Sequence, residues 1–183
     1  MSQTVGSALI HTLEAHGVRH VFGIPGVHNL ELYRGLARSK IRHVTGRHEQ
    51  GLGFMAEGYA RASGRPGVCF TITGPGLTNI ATALGQAYSE SQPVLVISSG
   101  EKASEHGSGR GFLHEMADQL GVAARVCGMS RRITRAAELP EAVAEAFASF
   151  ASKRPRPAYI EVPRDLLAAA APDAATATAT AGG

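Results

Sequence analysis

The chain has 183 residues, enough for one domain with a buried core. Hydrophobic residues make up 44% and aromatic residues 5%, with 22 glycines and no tryptophan, so small side chains must carry much of the packing. A formal charge of +3, scattered along the chain with Arg131-Arg132 its densest point, excludes the concentrated basic surface that nucleic-acid binding needs.

Residues 4–16 carry Val5, Ala8, Leu9 and Leu13 at helical spacing and end at Gly17, a residue suited to a C-terminal cap. A short apolar strand follows at 20–24, broken by Pro25-Gly26, and a second helix is predicted over 29–38. Residues 41–45 read as a strand, and 49–63 as a long helix stopped by Gly64. Residues 67–73 form an apolar strand ended by Gly74-Pro75-Gly76, then 77–90 is helical and 93–98 is another apolar strand. A glycine- and serine-rich loop starts at Ser99-Gly100 and runs to Gly111. The pattern then predicts a short helix over 113–120 and a short strand over 124–129. An amphipathic helix over 138–152 (Leu139, Val143, Phe147, Phe150) and a last strand over 158–162 complete it.

Strands that are apolar almost throughout and alternate with helices predict an α/β fold. Its doubly wound parallel sheet has about six strands, with helices on both faces. Residues 1–167 make up this domain. Residues 168–183 are mostly Ala, Thr, Pro and Gly, a composition that cannot build a core and reads as a linker or tail. Such a linker implies that more protein follows or that a partner chain is separate. Cys69, inside Val68-Cys69-Phe70, and Cys127, beside Val126, are expected as buried thiols without metal-ligand spacing. No signal peptide, lipidation motif or apolar run of transmembrane length occurs, so a reduced, cytoplasmic protein with no membrane partner is expected.

In open parallel sheets, ligands bind at the carboxyl ends of the strands. Four strand ends here are chemically distinctive and are expected along one edge. They are Gly23-Ile24-Pro25-Gly26-Val27-His28, Arg47-His48-Glu49, Thr73-Gly74-Pro75-Gly76-Leu77-Thr78-Asn79, and the loop before His114-Glu115. Glu49 stands out as a carboxylate opening a helix of small and apolar residues, poorly solvated unless it has a dedicated partner. The plain alternative is an acid interacting with the helix dipole. Glu57, farther along, is expected in a structural ion pair.

Gly74-Pro75-Gly76 opens a helix after a strand, as an anion-binding turn does. A nicotinamide dinucleotide fingerprint needs a third glycine where Asn79 stands, although Glu101 follows the next strand as a ribose-binding acid would. A simple tight turn and a turn against another cofactor are the other readings. No G-x-x-x-x-G-K-[ST] and no G-x-S-x-G occurs, which removes P-loop and hydrolase-elbow chemistry.

Five motifs in register carry a resemblance. They are Val21-Phe22-Gly23-Ile24-Pro25-Gly26, Arg47-His48-Glu49-Gln50-Gly51, Met55-Ala56-Glu57-Gly58-Tyr59-Ala60-Arg61, Thr73-Gly74-Pro75-Gly76-Leu77-Thr78-Asn79 and Arg156-Pro157-Ala158-Tyr159-Ile160-Glu161-Val162-Pro163. Together, over about residues 4–166, they resemble the N-terminal pyrimidine-binding domain of thiamine-diphosphate enzymes in the acetolactate synthase and 2-oxo acid decarboxylase superfamily. Val27-His28 and Leu113-His114-Glu115-Met116 look more like the decarboxylase branch that includes 5-guanidino-2-oxopentanoate decarboxylase.

The resemblance implies the pyrimidine-binding half of a thiamine-diphosphate-dependent 2-oxo acid decarboxylase or carboligase. It makes Glu49 the carboxyl hydrogen-bonded to the aminopyrimidine N1′, driving the 4′-amino group to the imino form that deprotonates C2. Such a role needs a carboxyl that shares its proton, and apolar surroundings at Gly51, Gly53 and Met55 would favour that. Pro25 and Gly26 are implied to approach the aminopyrimidine, with Thr73, Gly76 and Asn79 against the same ring. His114 matches the position where decarboxylases carry a catalytic histidine and acetolactate synthases a glutamine; a loop histidine bonded to its neighbours is the alternative. His28 follows a turn where some decarboxylases place an active-site acid, a slot taken here by Val27, and is a candidate substitute. Glu115 is a weaker candidate.

The superfamily's Gly-Asp-Gly metal motif is absent, so no metal ligand is expected in this chain. Mg²⁺ and the diphosphate would be held by a second domain, in the same or a separate chain, and FAD is possible only in a fuller enzyme. The resemblance further implies a homodimer or homotetramer with a shared active site, an exposed apolar face that association covers, and an unidentified 2-oxo acid substrate. A non-catalytic module of the same fold, a split-enzyme subunit and a nicotinamide-binding domain are the alternatives.

Overall fold

Strand burial organises this chain. In the computed structural model, which describes residues 3–172, strands and helices alternate along the sequence. The strands are β1 (His20–Gly23), β2 (Arg42–Thr45), β3 (Gly67–Thr71), β4 (Val94–Gly100), β5 (Met129–Arg132) and β6 (Ala158–Pro163). The helices are α1 (Val5–Ala15), α2 (Leu30–Leu36), α3 (Glu49–Ser63), α4 (Pro75–Ser89), α5 (Gln119–Val126), α6 (Leu139–Ser152) and α7 (Arg164–Ala168). The strands form one sheet in the order β2-β1-β3-β4-β6-β5, and every pair is parallel. The expected six-stranded, doubly wound α/β fold is the one observed.

Alternate residues of each inner strand serve opposite faces, as a pleated strand requires. Leu95 and Ile97 of β4, Val68 and Phe70 of β3, and Ile160 of β6 pack with α1, α2, α6 and α7. Val94 and Val96, Cys69, and Tyr159 pack with α3, α4 and α5. Full burial of one such aliphatic or aromatic side chain contributes roughly 1.5–3 kcal/mol. β3, β4 and β6 are buried along their whole length, whereas the edge strands are not: β2 is largely exposed and β5 half-buried. An edge strand carries polar residues because one side of it meets solvent.

Two expected elements are corrected. No helix covers 113–120, because His114 has φ +66°, a left-handed conformation that interrupts a right-handed helix. The helix begins instead at Gln119, where the Asp118 side chain caps it by accepting the Gly121 N–H at 2.8 Å. It takes up the first half of the stretch expected as a strand over 124–129, and the strand itself falls later, at Met129–Arg132. Beyond α7 the chain stays tied to its beginning: Ala170 bridges Thr4, and the Ala171 N–H donates to the Gln3 carbonyl at 2.8 Å. The rest of the segment expected as a linker, 173–183, lies outside the described residues.

α3 and α4 pack closely through Gly53. A Cβ there would lie 2.5 Å from Ala83 Cβ and 2.8 Å from Ile80 Cγ1, whereas a Cβ at Gly58 on the same helix meets nothing within 4 Å. Gly53→Ala is therefore expected to destabilise the fold by about 1–3 kcal/mol through overpacking. Gly58→Ala should stabilise it by about 0.5–1 kcal/mol through helix propensity. Urea unfolding midpoints of the two variants check this pair of opposite signs.

Candidate active site

The connections after β1 and β3 leave the sheet on opposite faces: β1 leads to α2 on one side and β3 to α4 on the other. That divergence opens a crevice at the carboxyl ends of two adjacent strands, the usual ligand position in such sheets. The first and third of the distinctive strand ends, Pro25-Gly26 and Thr73-Gly74, meet there.

Buried Asn29 pins the first turn. It accepts the Gly26 N–H on Oδ1 at 2.8 Å and donates from Nδ2 to the Ile24 carbonyl at 3.2 Å. Gly26 lies so close to Ile72 that a Cβ would sit 2.7 Å from Ile72 Cγ2, and a Cβ at Gly76 would sit 3.0 Å from Ile72 Cγ1. Ile72 thus fills the space between the two glycines.

Glu49 is the first residue of α3 and is only 8% exposed. The His48 Nδ1 accepts the Gln50 N–H at 3.2 Å and caps the helix, so that ring carries its proton on Nε2 when neutral. Asn79 donates from Nδ2 to Glu49 Oε2 at 2.9 Å, and no other hydrogen bond to the Glu49 side chain occurs among the described residues. The amide standing where a dinucleotide fingerprint would have its third glycine is thus the partner of the helix-opening acid. The apolar surroundings expected at Gly51 and Met55 are not found. Both residues are exposed, and Gly53 is consumed by packing on α4. The Asn79 amide and the N-terminus of α3 are its recorded polar surroundings.

Thr73 and His28 form a second buried cluster. The His28 Nε2 lies 3.2 Å from Arg164 Nη1, which can only donate, so Nε2 accepts and the ring proton resides on Nδ1. Nδ1 then donates to Thr73 Oγ1 at 3.0 Å, leaving the threonine hydroxyl to donate to Ser99 Oγ at 3.3 Å. Burial, then the charge of Arg164, then His114 push His28 below the usual histidine range, against the opposing pull of Glu105. Arg164 also donates from Nη2 to Glu105 Oε2 at 2.6 Å. That bond, ahead of the one from Lys102, holds the Glu105 carboxyl low against its partial burial.

His114 packs against the same group. Its ring meets the His28 ring edge-on, with centroids 5.4 Å apart, and its carbonyl lies against Gly74, where any Cβ would collide with it. Gly74 has φ +67°, so glycine is required there for conformation as well as space. Glu115 faces its own loop instead, accepting N–H donors from Gly109 (2.7 Å), Gly111 (2.5 Å) and Phe112 (3.0 Å) and the Ser108 hydroxyl (3.0 Å). Burial would push its carboxyl up, but the Ser108 hydroxyl and these three backbone donors together hold it below the usual range.

Two residues here were not singled out from sequence. Arg164 directly follows the last strand, a position that could have marked it. Gln119 gave no signal, yet it is buried, accepts the Gly74 N–H on Oε1 at 2.6 Å, and donates to the Ser99 carbonyl (3.0 Å) and the Tyr159 hydroxyl (2.8 Å). Glu57 makes its expected ion pair, with Arg61 at 2.9 Å. Cys69 and Cys127 are free and buried, and burial pushes the Cys127 thiol up to about 12. Among the described residues no three His, Cys, Asp or Glu side chains gather as a metal site, and no helix is long and apolar enough to cross a membrane.

A doubly wound parallel sheet with glycine turns at adjacent strand ends, and a buried helix-opening carboxyl tied to the helix after one of them, is the frame of a cofactor-binding domain. The family model described as the thiamine pyrophosphate enzyme, N-terminal TPP binding domain, matches residues 3–122, and the chain belongs to that family. The nicotinamide-binding reading of Gly74-Pro75-Gly76 gives way to it.

Among curated relatives, the chain is 58% identical over 166 residues to a probable 2-ketoarginine decarboxylase, AruI, of Pseudomonas aeruginosa, covering 91% of this chain and 30% of that protein. It is 40% identical over 163 residues to an acetolactate synthase of Arthrospira platensis (87% and 28%). It is 37% identical over 159 residues to the acetolactate synthase isozyme 1 large subunit of Escherichia coli (86% and 28%). The chain therefore spans under a third of the length of these relatives.

His28 generates a pH prediction. Its folded-state pKa lies below the unfolded value, so the unfolded chain binds more protons as pH falls under about 6.5. Stability present above that pH is lost on acidification toward the depressed folded value. Between pH 6.5 and 5, above the carboxylate range of Glu105 and Glu115, the urea midpoint should fall in the wild type and fall less in His28→Gln.

Proposed function

We propose that this domain binds the aminopyrimidine of thiamine diphosphate in a 2-oxo acid decarboxylase, with Glu49 the carboxyl on N1′. The observation that carries the reading is the buried Glu49 held on one oxygen by Asn79, a residue of the helix that leaves β3 through Gly74-Pro75-Gly76. Such a carboxyl has its second oxygen available for a ring nitrogen. The tight glycine turns on either side of Ile72 suit the flat ring expected beside it. Bound there, the cofactor supplies a carbon nucleophile for the 2-oxo carbonyl and a sink for the electrons left as CO₂ departs.

In this reading Glu49 holds a proton at N1′ and Asn79 orients the carboxyl. Pro25-Gly26, Thr73 and Gly76 flank the ring. His114 moves a proton near the substrate or binds its carboxylate. His28, kept neutral and donating to Thr73, positions His114 through the edge-on ring contact. Decarboxylation of a 2-oxo acid with a cationic side chain is supported by the 58% identity to the 2-ketoarginine decarboxylase, and carboligation less strongly by the acetolactate synthases.

Mg²⁺ and the diphosphate, and FAD where a full enzyme carries it, would be held by further domains. The exposed Phe54 and Met55 on α3, the helix that Glu49 opens, support closure of the site by a diphosphate-binding domain and assembly as a homodimer or homotetramer. The two free, buried thiols support a reducing, cytoplasmic setting.

The test is Glu49→Gln in the enzyme assembled with its diphosphate-binding domain. Turnover of the 2-oxo acid, followed by CO₂ release, should fall about 10²–10⁴-fold, the size of a lost acid–base contribution. Unchanged turnover would refute the N1′ assignment.

A further inference from the structure

β4 and β6 repeat the divergence seen at β1 and β3. β4 leads to α5 on one face of the sheet and β6 to α7 on the other, so a second crevice opens between their carboxyl ends. A cavity of about 200 Å³ lies there, bounded by Thr73, Glu101, His106, Asp118, Gln119, Arg132 and Glu161 among others. A water takes roughly 30 Å³ of liquid, so the cavity takes a group of several heavy atoms.

The cavity is partly open, at Gly107, Ala117 and Asp118, and its inner wall carries buried acids. Glu161 lies on β6 with no exposed surface, and Glu101, just after β4, is 4% exposed. Each has one oxygen engaged: Glu161 Oε1 accepts Arg132 Nε at 2.7 Å, and Glu101 Oε1 accepts the Met116 N–H at 3.1 Å. Among the described residues the second oxygen of each is buried without a hydrogen-bond partner, as is the His106 Nε2, which stands 3.9 Å from Glu161 Oε1. Asp118 adds a third carboxyl at the rim, where it caps α5. Three carboxyls thus face one guanidinium and one imidazole. Two unmatched carboxylate oxygens, one on β6 and one just past β4, are costly to bury, and a cation donating in two directions would satisfy both. Burial pushes the Glu101 carboxyl up, with the Glu115 and Glu105 charges adding to it and the Met116 N–H and the His106 charge opposing it.

We infer that this cavity binds a guanidinium group, gripped between Glu101 and Glu161. The planar guanidinium presents N–H donors in several in-plane directions, and a single point-like ammonium matches two separated acceptors less well. The cavity shares Thr73 with the β1/β3 crevice and is floored by Gln119, which holds Gly74 in place. Its use in reading the cationic end of a substrate side chain rests on the decarboxylase reading above; the binding of the cation does not.

The experiment is calorimetric titration of the full 183-residue chain, without cofactor, with n-butylguanidinium at concentrations well below denaturing, n-butylammonium, and n-butylurea as the neutral isostere. Saturable binding of butylguanidinium is expected, with butylammonium weaker and butylurea unbound. Glu101→Gln, checked for folding by circular dichroism, should weaken butylguanidinium at least about tenfold, the loss of one charge-assisted hydrogen bond. Glu161→Gln should do the same; if it unfolds because Arg132 loses its partner, Glu101→Gln alone decides. Absence of saturable binding, equal binding of butylurea, tighter binding of butylammonium, or an unaffected Glu101→Gln would each overturn the inference. A failed titration beside a Glu49→Gln variant that still loses turnover sinks the cavity and leaves the cofactor site standing, and the reverse pair of results does the opposite.

Discussion

The hydrogen bond from Asn79 to Glu49 joins the N-terminal ends of two neighbouring helices, and much of the site depends on it. A carboxyl at 8% exposure needs a partner, and α4 supplies one only because it runs close beside α3. That closeness comes from Gly53, which leaves room for Ala83 and Ile80. α4 is aimed by Gly74, whose left-handed backbone turns the chain out of β3 and into the helix. A glycine in the middle of one helix and a glycine at the start of the next thus set where an amide meets an acid.

The same turn is held from its other side by side chains distant in sequence. Gln119 takes the Gly74 N–H, and Ser99 takes the Thr73 N–H at 3.1 Å. His28 reaches Thr73 from the β1 crevice and is itself fixed by Arg164 after β6. Groups from β4, α5 and the segment after β1 therefore converge on two consecutive residues, Thr73 and Gly74. The side chains of His28, Thr73, Ser99 and Gln119 are held firmly, because the buried polar atoms of each have partners. The acidic cavity beside them differs in that respect: its two carboxyls each keep an unmatched oxygen.

Most of the fold was legible in the chain because buried parallel strands announce themselves as apolar runs, and β3, β4 and β6 are such runs. Legibility failed where local pattern and tertiary role diverge. Residues 113–118 look helical, yet the left-handed His114 and the Glu115 carboxylate, which gathers three backbone N–H groups, hold them as a loop. β5 was displaced because a half-exposed edge strand has no apolar run to mark it.

At the site, Glu49 and the glycine turns were visible as an ill-solvated acid and as strand ends. The Asn79 partnership was not, since it depends on how two helices lie side by side. Gln119 and the Glu101–Glu161 pair were invisible for the same reason: residues 60 positions apart in one case meet only once the sheet has ordered its strands. The small residues of α3, which seemed to invite a ligand, divide into Gly53, used for helix packing, and Gly51 and Gly58, which face open space.

The central claim is that Glu49 meets an aminopyrimidine nitrogen in the β1/β3 crevice. A crystal structure of the assembled enzyme with thiamine diphosphate tests it most directly. The account predicts the Glu49 carboxyl within hydrogen-bond distance of N1′, with Asn79 still on its other oxygen and the ring against Pro25-Gly26. A pyrimidine ring bound elsewhere, or N1′ facing any other side chain, would contradict it.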